Sequence, residues 1–334
     1  MTKILVTGAT GFLGRHLVAQ LRDRGHEIVA LVREEKLDDA FLSLGAHIVH
    51  GDVLDRASVE KAAEGCEALL HAAGKVSRDP KDAELLHRLH VEGTKVTLDA
   101  ARAKGIRRVV VASTSGTVAV SNDPEPVNED GRVPTDLIAT WPYYRSKLYA
   151  EMAALDRSGP GFEVCAVNPA LLLGPGDLVG SSTGDVVDIV EGKLPFVPGG
   201  GLAFVDARDA ALGMILALEK GRPGRRYLLA GQNLTFRAFA EKIARIAGVK
   251  APTVELPRSR ALAGLGADLA KKLSKHLPGI PDMDRASAEM GQAYWYVDWT
   301  RAKEELGFSP RDPMETLTDT VNDLRARGVL WPRA

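Results

Sequence analysis

A short apolar run, Lys3-Ile4-Leu5-Val6, leads straight into Thr7-Gly8-Ala9-Thr10-Gly11-Phe12-Leu13-Gly14 and then into a helical pattern. No other feature restricts the fold as much. Gly8 suits a tight turn, Gly11 a close approach of backbone to a bound group, and Gly14 close packing of helix on strand. The helix that follows offers free N–H groups and a positive dipole end, a natural seat for phosphate oxygens. With the strand before it and the helix after it, the turn reads as a seat for the pyrophosphate of a dinucleotide.

The rhythm downstream agrees. Strand candidates fall at residues 3–6, 27–32, 46–50, 68–71, 107–112 and 162–167, each apolar enough to be buried on both faces. Between them lie helical patterns at 11–24, 57–64, 82–104 and 143–157. Such alternation predicts an α/β fold, a doubly wound parallel sheet of the Rossmann type with right-handed crossovers. The pattern breaks near Pro169, where Gly174-Pro175-Gly176 and Gly199-Gly200-Gly201 mark loops. The expected division is a nucleotide-binding unit over 1–168, with 202–222 packing back on it. A smaller, mostly helical substrate-binding unit is expected over 169–201 and 223–334.

Composition narrows the function classes. The 43 Lys+Arg nearly balance 44 Asp+Glu, which argues against a nucleic-acid partner. No apolar run reaches the roughly 18 residues of a membrane span, so stable membrane insertion is not expected. The N-terminal apolar stretch is too short for a signal peptide. The two cysteines, Cys66 and Cys165, form neither a disulfide framework nor a metal spacing; a reducing, cytoplasmic setting is expected.

The residue after the second strand bears on which nucleotide binds. An acid there accepts from the ribose 2′-hydroxyl of NAD, whereas an arginine favours the 2′-phosphate of NADP. Arg33 stands at that place with Lys36 near it, so NADP(H) is preferred and NAD(H) remains possible. Glu34 and Glu35 follow directly, and the other reading is a solvated charged turn. Asp52 of Gly51-Asp52-Val53 is placed to accept from the adenine amino group. The small residues of His71-Ala72-Ala73-Gly74 leave room for a nucleotide against the ends of the strands.

A catalytic constellation follows. Tyr143 and Lys147 stand one helical turn apart on one face. An ammonium beside a phenol favours phenolate and brings a group with an ordinary pKa near 10 toward neutral pH, where it can exchange a proton. Ser113-Thr114-Ser115 closes the fifth strand, where a hydroxyl can hold a substrate oxygen; adjacent residues at a strand end face opposite ways, so either Thr114 or Ser115 can point at the site.

Taken together and in this order, these motifs resemble the extended short-chain dehydrogenases/reductases of the NAD-dependent epimerase/dehydratase superfamily. The resemblance extends through Asn168-Pro169-Ala170, Gly174-Pro175-Gly176, Phe204-Val205-Asp206-Ala207-Arg208-Asp209 and Asp298-Trp299-Thr300-Arg301-Ala302, and so spans most of the chain. It is closest to the dihydroflavonol reductase and 3β-hydroxysteroid dehydrogenase-like branch. It implies that Ser115 binds the substrate oxygen, that Tyr143 is the general acid/base, and that Lys147 holds the nicotinamide ribose and tunes Tyr143. The implied nucleotide contacts are Gly8, Thr10, Gly11, Phe12, Leu13, Arg33, Asp52, Val53, Ala72, Ala73, Tyr143, Lys147 and Pro169. It also implies a small-molecule substrate and a homodimer packed through the helices at 82–104 and 143–157.

The activity expected is reduction of a ketone or aldehyde to an alcohol, or the reverse. The rival is a nucleotide-diphosphate-sugar epimerase or dehydratase with tightly bound NAD, because Asn168 and the region of Arg208 match positions that contact a nucleotide-sugar in that branch. A non-catalytic NADP(H) sensor is a third reading, against which the retained Tyr143, Lys147 and Ser115 argue. One departure stands out: where the family often has Asn before Val-Glu-Gly-Thr, this chain has His90, either a titrating substitute or a structural histidine. His87 and His90 lack a third ligand, so no metal site is expected. The aromatic stretch 294–299 is read as packing inside the second unit. The apolar and basic pattern of Leu262, Leu265, Leu269 and Leu273 with Arg258, Arg260, Lys271, Lys272 and Lys275 is read as a lid on the cleft, with a membrane-surface or anion contact as the other reading.

Overall fold

The structure is a computed structural model that describes residues 1–194, 196–255, 258–259, 263–268 and 285–331. Its first half alternates as the sequence predicts: β1 (Lys3–Thr7), α1 (Phe12–Asp23), β2 (Glu27–Val32), α2 (Asp39–Leu42), β3 (His47–His50), α3 (Arg56–Ala62) and β4 (Ala68–His71). Then come α4 (Ala83–His87), α5 (Gly93–Ala103), β5 (Arg108–Ala112), α6 (Thr135–Ile138), α7 (Pro142–Leu155) and β6 (Glu163–Pro169). Beyond it follow β7 (Leu171–Leu173), α8 (Gly184–Val190), β8 (Phe196–Val197), β9 (Gly201–Asp206), α9 (Ala207–Lys220) and β10 (Arg226–Leu229). The chain continues through β11 (Gln232–Thr235), α10 (Phe236–Ala247), β12 (Val254–Glu255) and β13 (Tyr294–Trp295).

Seven strands form one sheet in the order β10-β6-β5-β4-β1-β2-β3, all parallel. Ile4, Leu5 and Val6 have no exposed surface, as expected of a strand covered on both faces. On one face Leu13, Leu17 and Leu21 of α1 pack with Ala210 and Met214 of α9. On the other, Val59 of α3, Leu98 and Ala101 of α5 and Ala154 of α7 close the core. Chain order reverses between β1 and β4, and a crevice opens beyond the carboxyl ends of the strands at such a switch point.

Three boundaries differ from the sequence reading. The stretch 82–104 is not one α-helix: a 3-10 turn (Pro80–Asp82), α4, a π turn (Arg88–Glu92) and α5 follow one another. Gly93 follows the π turn, where an added Cβ would meet Val53 Cγ2 at 3.1 Å, so the segment there lies close against the β3 side of the sheet. Second, Arg226–Leu229, assigned to the substrate unit by the division at residue 223, is the edge strand of the central sheet, paired with β6. Third, the region after the central sheet is less purely helical than expected. A second sheet runs β11-β9-β13, with β7 also paired to β9, and is covered by Phe239 and Ile243 of α10 and by Leu317 and Val321 of the helix Pro313–Ala326.

Candidate active site

The glycine turn is built from backbone. Gly8 has φ +69°, and a Cβ there would lie 2.5 Å from the Ala72 carbonyl oxygen and 2.6 Å from Ala73 N. At Gly14 a Cβ would lie 2.0 Å from Gly8 O and 2.7 Å from Ala9 Cα. These two glycines are needed for the protein to pack on itself. Gly11 differs: its single near neighbour would be Gly8 O at 3.3 Å, and it lines a cleft. Gly11 is also the N-cap of α1 and supplies no side-chain hydrogen bond to the N–H groups of the first turn. Open space over a glycine beside uncapped N–H groups fits a pyrophosphate.

The cleft is one cavity of about 1280 Å³ that runs from this turn across the strand ends into the second sheet. Of the expected site residues, Gly8, Thr10, Gly11, Phe12, Leu13, Arg33, Ala72, Ser115, Tyr143, Lys147 and Pro169 line it. Asp52, Val53 and Ala73 do not. Asp52 turns its carboxylate into its own loop and accepts from Leu54 N at 2.9 Å. Val53 is buried in the core, and Ala73 packs against it. Arg33 is exposed and makes no ion pair among the described residues. Lys36 does not line the cleft and borders a separate small depression with Leu42 and His50.

The three hydroxyls after β5 divide cleanly. Ser113 donates to Glu151 Oε2, and Thr114 Oγ1 accepts from Gly116 N at 3.4 Å to cap the turn Ser115–Thr117. Ser115 lines the cleft, 5% exposed, and its hydroxyl makes no hydrogen bond among the described residues. The sequence preference for Ser115 therefore has a physical basis: its neighbours' hydroxyls already have structural work.

Tyr143 and Lys147 stand on successive turns of α7 and both line the cleft, Tyr143 half-buried and Lys147 buried. The expected lowering of the Tyr143 pKa by Lys147 is not what this geometry gives. Lys147 Nζ donates to the Ala112 carbonyl at the end of β5, 2.6 Å away, and burial pulls its pKa down to about 8 against the charge of Glu151, which raises it. Burial likewise pushes the Tyr143 phenol up, away from ionisation. Within the protein alone, desolvation favours the neutral form of both groups over the ion pair. Two buried histidines nearby, His71 and His90, are held neutral, each brought to about 3 by burial first and by the Lys147 charge next.

Beneath the pair lies a network that the sequence reading missed. Glu151, one turn beyond Lys147 and fully buried, accepts from Ser113, from Thr117 Oγ1 at 2.9 Å and from Asn168 Nδ2 at 2.7 Å. Arg226 Nε of the edge strand β10 lies 2.9 Å from its other oxygen. Ionisable residues on the inner side of a helix, Lys147 and then Glu151 four residues on, were the available signal. Asn168, read as a possible substrate contact, is 0% exposed and spends its amide inside this network. Arg208 is likewise committed, to Asp206 at 2.7 Å and to Asp319 at 2.7 Å, and does not line the cleft.

Beyond Ser115 the walls turn predominantly apolar, though Asp185, Asp188, Lys193 and Gln292 also line the cleft. Leu171, Leu202, Ile189, Phe236 and Phe239 line this end, with Tyr144 and Trp295 beside the catalytic group. Trp295 thus belongs to the cleft as well as to the second unit's packing: its ring lies 4.8 Å from that of Tyr144 and 5.5 Å from that of Trp141. Gly116 permits this approach, because a Cβ there would stand 2.3 Å from Tyr144 ring carbons. Most of the expected lid pattern, Leu262, Leu269, Leu273, Arg260, Lys271, Lys272 and Lys275, lies outside the described residues. Within the described part, Ala263, Gly266 and Ala267 line the cleft, Leu265 is exposed, and Arg258 sits over the Tyr294 ring at 4.3 Å.

Fold and site together define an enzyme of the extended short-chain dehydrogenase/reductase type, an NAD(P)-dependent oxidoreductase. The chain belongs to the NAD dependent epimerase/dehydratase family, whose model matches residues 4–230. It is 30% identical over 331 residues to a putative dihydroflavonol 4-reductase of Synechocystis sp., covering 97% of this chain and 95% of that one. It is 31% identical to the sterol demethylase protein B of Methylococcus capsulatus, over 98% of this chain and 99% of the relative. The crystal structure of gox2253 superposes with a TM-score of 0.86 at 29% identity, over 99% of this chain and all of that one. No helix among the described residues is long and apolar enough to cross a membrane.

Proposed function

We propose that the protein reduces a ketone or aldehyde carried on an apolar skeleton, using NADPH, or runs the reverse oxidation. The observation that carries this reading is the contrast in the substrate end of the cleft. Its walls are predominantly apolar and aromatic, with Asp185, Asp188, Lys193 and Gln292 among the polar lining, while Asn168 and Arg208, the polar residues a nucleotide-sugar would call on, are spent inside the protein. The likeness to a putative dihydroflavonol 4-reductase supports it from outside.

Gly8, Gly11, Tyr143 and Lys147 would hold a nicotinamide nucleotide, which would supply the hydride for the carbonyl carbon. The protein's share is charge and position. The Ser115 hydroxyl donates to the carbonyl oxygen, and the Tyr143 phenol gives that oxygen its proton. Lys147 stabilises the phenolate left behind and holds the ribose. Solvent is kept out by Tyr144, Trp295 and the apolar walls, which strengthens each of these interactions. Arg33, exposed at the cleft and without an ion pair, takes the 2′-phosphate of NADPH; Arg33→Ala raises KM for NADPH by about tenfold and leaves that for NADH nearly unchanged.

The test is absorbance. Purified protein mixed with NADPH and a panel of hydrophobic ketones and aldehydes consumes NADPH in proportion to alcohol formed. No oxidation of NADPH, together with NAD co-purifying stoichiometrically with the chain, overturns the reductase in favour of the epimerase or dehydratase. We also propose a homodimer through α7, where Tyr149 and Met152 are exposed at 47% and 48%; sedimentation at micromolar concentration tests it.

A further inference from the structure

His90 is not used by the chemistry proposed above, yet it touches both the tyrosine helix and the loop that follows β4. It lies in the π turn Arg88–Glu92, 2% exposed, with its ring edge-on to Tyr143: centroids 5.7 Å apart, planes at 80°. A π turn widens the helix locally and re-aims the side chains it carries, and such turns are frequent at functional sites.

Both ring nitrogens are occupied, and their partners allow one protonation state. The Lys75 N–H donates to Nε2 at 3.2 Å, so that nitrogen carries no proton. Ser146 Oγ gives its own proton to the Tyr143 carbonyl at 2.8 Å and can only accept from Nδ1, also at 2.8 Å. The imidazole is therefore neutral and protonated at Nδ1. The loop it reaches, residues 72–79, has no regular secondary structure, and residues 74–78 line the cleft. Among the loop's side-chain ties are a hydrogen bond from Ser77 to Asp82 and two ion pairs, Lys75 to Asp82 at 2.9 Å and Arg78 to Asp185 at 3.5 Å, which join partly exposed charges and hold little. The bond to His90 is part-buried, reaches a ring that is itself buried, and grips backbone.

We propose that His90 is a positioning residue, a latch of fixed tautomer that pins loop 74–78 to the first turn of the Tyr143 helix so that loop and tyrosine form one wall of the cleft. The proposal rests on the reductase reading only for what Tyr143 does there. The latch itself belongs to the free protein. A relay through His90 is incompatible with these bonds, because a proton entering Nε2 expels the Lys75 N–H. The charged and titratable groups around the ring are Lys147 and Tyr143 on α7, His71 on β4 and Lys75 on the loop; His71 is neutral, and burial and the charge of Lys147 oppose a second proton on His90.

Hydrogen exchange of the free, full-length protein, read by mass spectrometry, tests the latch. In His90→Ala, exchange of the peptide covering 74–78 rises by about tenfold, while peptides from β10 and β11 keep wild-type rates. His90→Gln, whose amide can accept from Lys75 and donate to Ser146 at once, restores most of the protection. In turnover, His90→Ala raises KM for the nucleotide more than it lowers kcat and leaves both limbs of the pH profile in place. Unchanged exchange at 74–78 in His90→Ala overturns the latch, and so does an alkaline limb that moves, which would mark a relay. Should the alanine variant fail to fold, the wild-type ring still answers. The nitrogen resonances of selectively labelled histidine are expected to show the Nδ1-protonated neutral form from about pH 6 to about pH 8. An Nε2-protonated or cationic ring there overturns the proposal. Absence of reductase activity would leave the exchange and resonance results untouched, so the two readings fail separately.

Discussion

The two ends of the cleft are made of different material. The nucleotide end is backbone: Gly8 against Ala72 and Ala73, Gly14 against Gly8 and Ala9, and the uncapped start of α1. The substrate end is side chain: Phe236, Phe239, Leu171, Leu202 and Trp295. Backbone geometry demands glycine at fixed spacing, whereas an apolar wall can be assembled from many combinations of similar volume. A mutation that adds an atom should therefore harm the first end, and one that removes atoms should alter the second. Tyr143 stands where they meet.

The largest effect is expected at that junction. Tyr143→Phe removes the proton donor and keeps the ring that His90 and Tyr144 pack against. Turnover should fall by about a thousandfold while nucleotide affinity, measured by fluorescence titration, changes little. A variant with wild-type turnover would remove Tyr143 from the chemistry and leave the junction without its acid.

Next comes the contrast between the ends. Gly14→Ala drives a methyl to 2.0 Å from Gly8 O, a contact that only a backbone shift relieves. Nucleotide affinity should fall by at least about a hundredfold, with a loss of stability of about 3 kcal/mol. Phe239→Ala, by contrast, should leave nucleotide affinity unchanged and raise KM for a bulky hydrophobic carbonyl by about tenfold, while a small aldehyde is little affected. Equal damage to nucleotide binding from both variants would mean that the ends are not separate.

This asymmetry also decides how much was legible beforehand. Six of the sheet's seven strands, the glycine turn, Tyr143, Lys147 and Ser115 announce themselves because each follows from local pattern: a period of burial, a spacing, a place at a strand end. The Glu151 network does not, because Ser113 and Thr117, Asn168, and Arg226 come from three separate segments and meet only when β5, β6 and β10 lie side by side. The commitment of Asn168 and Arg208 was hidden for the same reason. Trp295 was taken for interior packing because nothing near it in sequence says that β13 pairs with β9 and carries its ring to Tyr144. The break of the 82–104 helix into a π turn at His90 has no sequence pattern of its own.

Glu151 joins the two halves from below, and its removal is the next test. Glu151→Gln keeps acceptor capacity for Ser113, Thr117 and Asn168 but leaves the Arg226 guanidinium without its counter-charge. The carboxylate is 0% exposed and the Arg226 side chain 18% exposed, so the loss should be near the low end for a broken buried pair, about 2–3 kcal/mol in denaturant unfolding. Arg226→Met paired with Glu151→Gln should recover part of that loss. Were both singles neutral, the network would not be what ties β10 to α7.

The smallest effect concerns pH and needs the sign of one group. Burial lowers Lys147 from 10.5 to about 8 in the folded, nucleotide-free protein, so between those values the unfolded chain holds a proton there that the folded one does not. Stability rises with pH wherever the unfolded state binds more protons. The cost of burying the ammonium is thus fully present below about pH 8 and is relieved as pH climbs toward 10.5. Between about pH 8 and about pH 9 this group alone should add about 1 kcal/mol to the free energy of unfolding. Other groups titrate there too, so the quantity to measure is the difference in slope between wild type and Lys147→Met, which keeps the apolar stem and discards the charge. A steeper rise in wild type is expected. Parallel slopes would mean that Lys147 keeps its proton in the folded state, held by Glu151 and the Ala112 carbonyl, and that the neutral environment inferred for the junction is wrong.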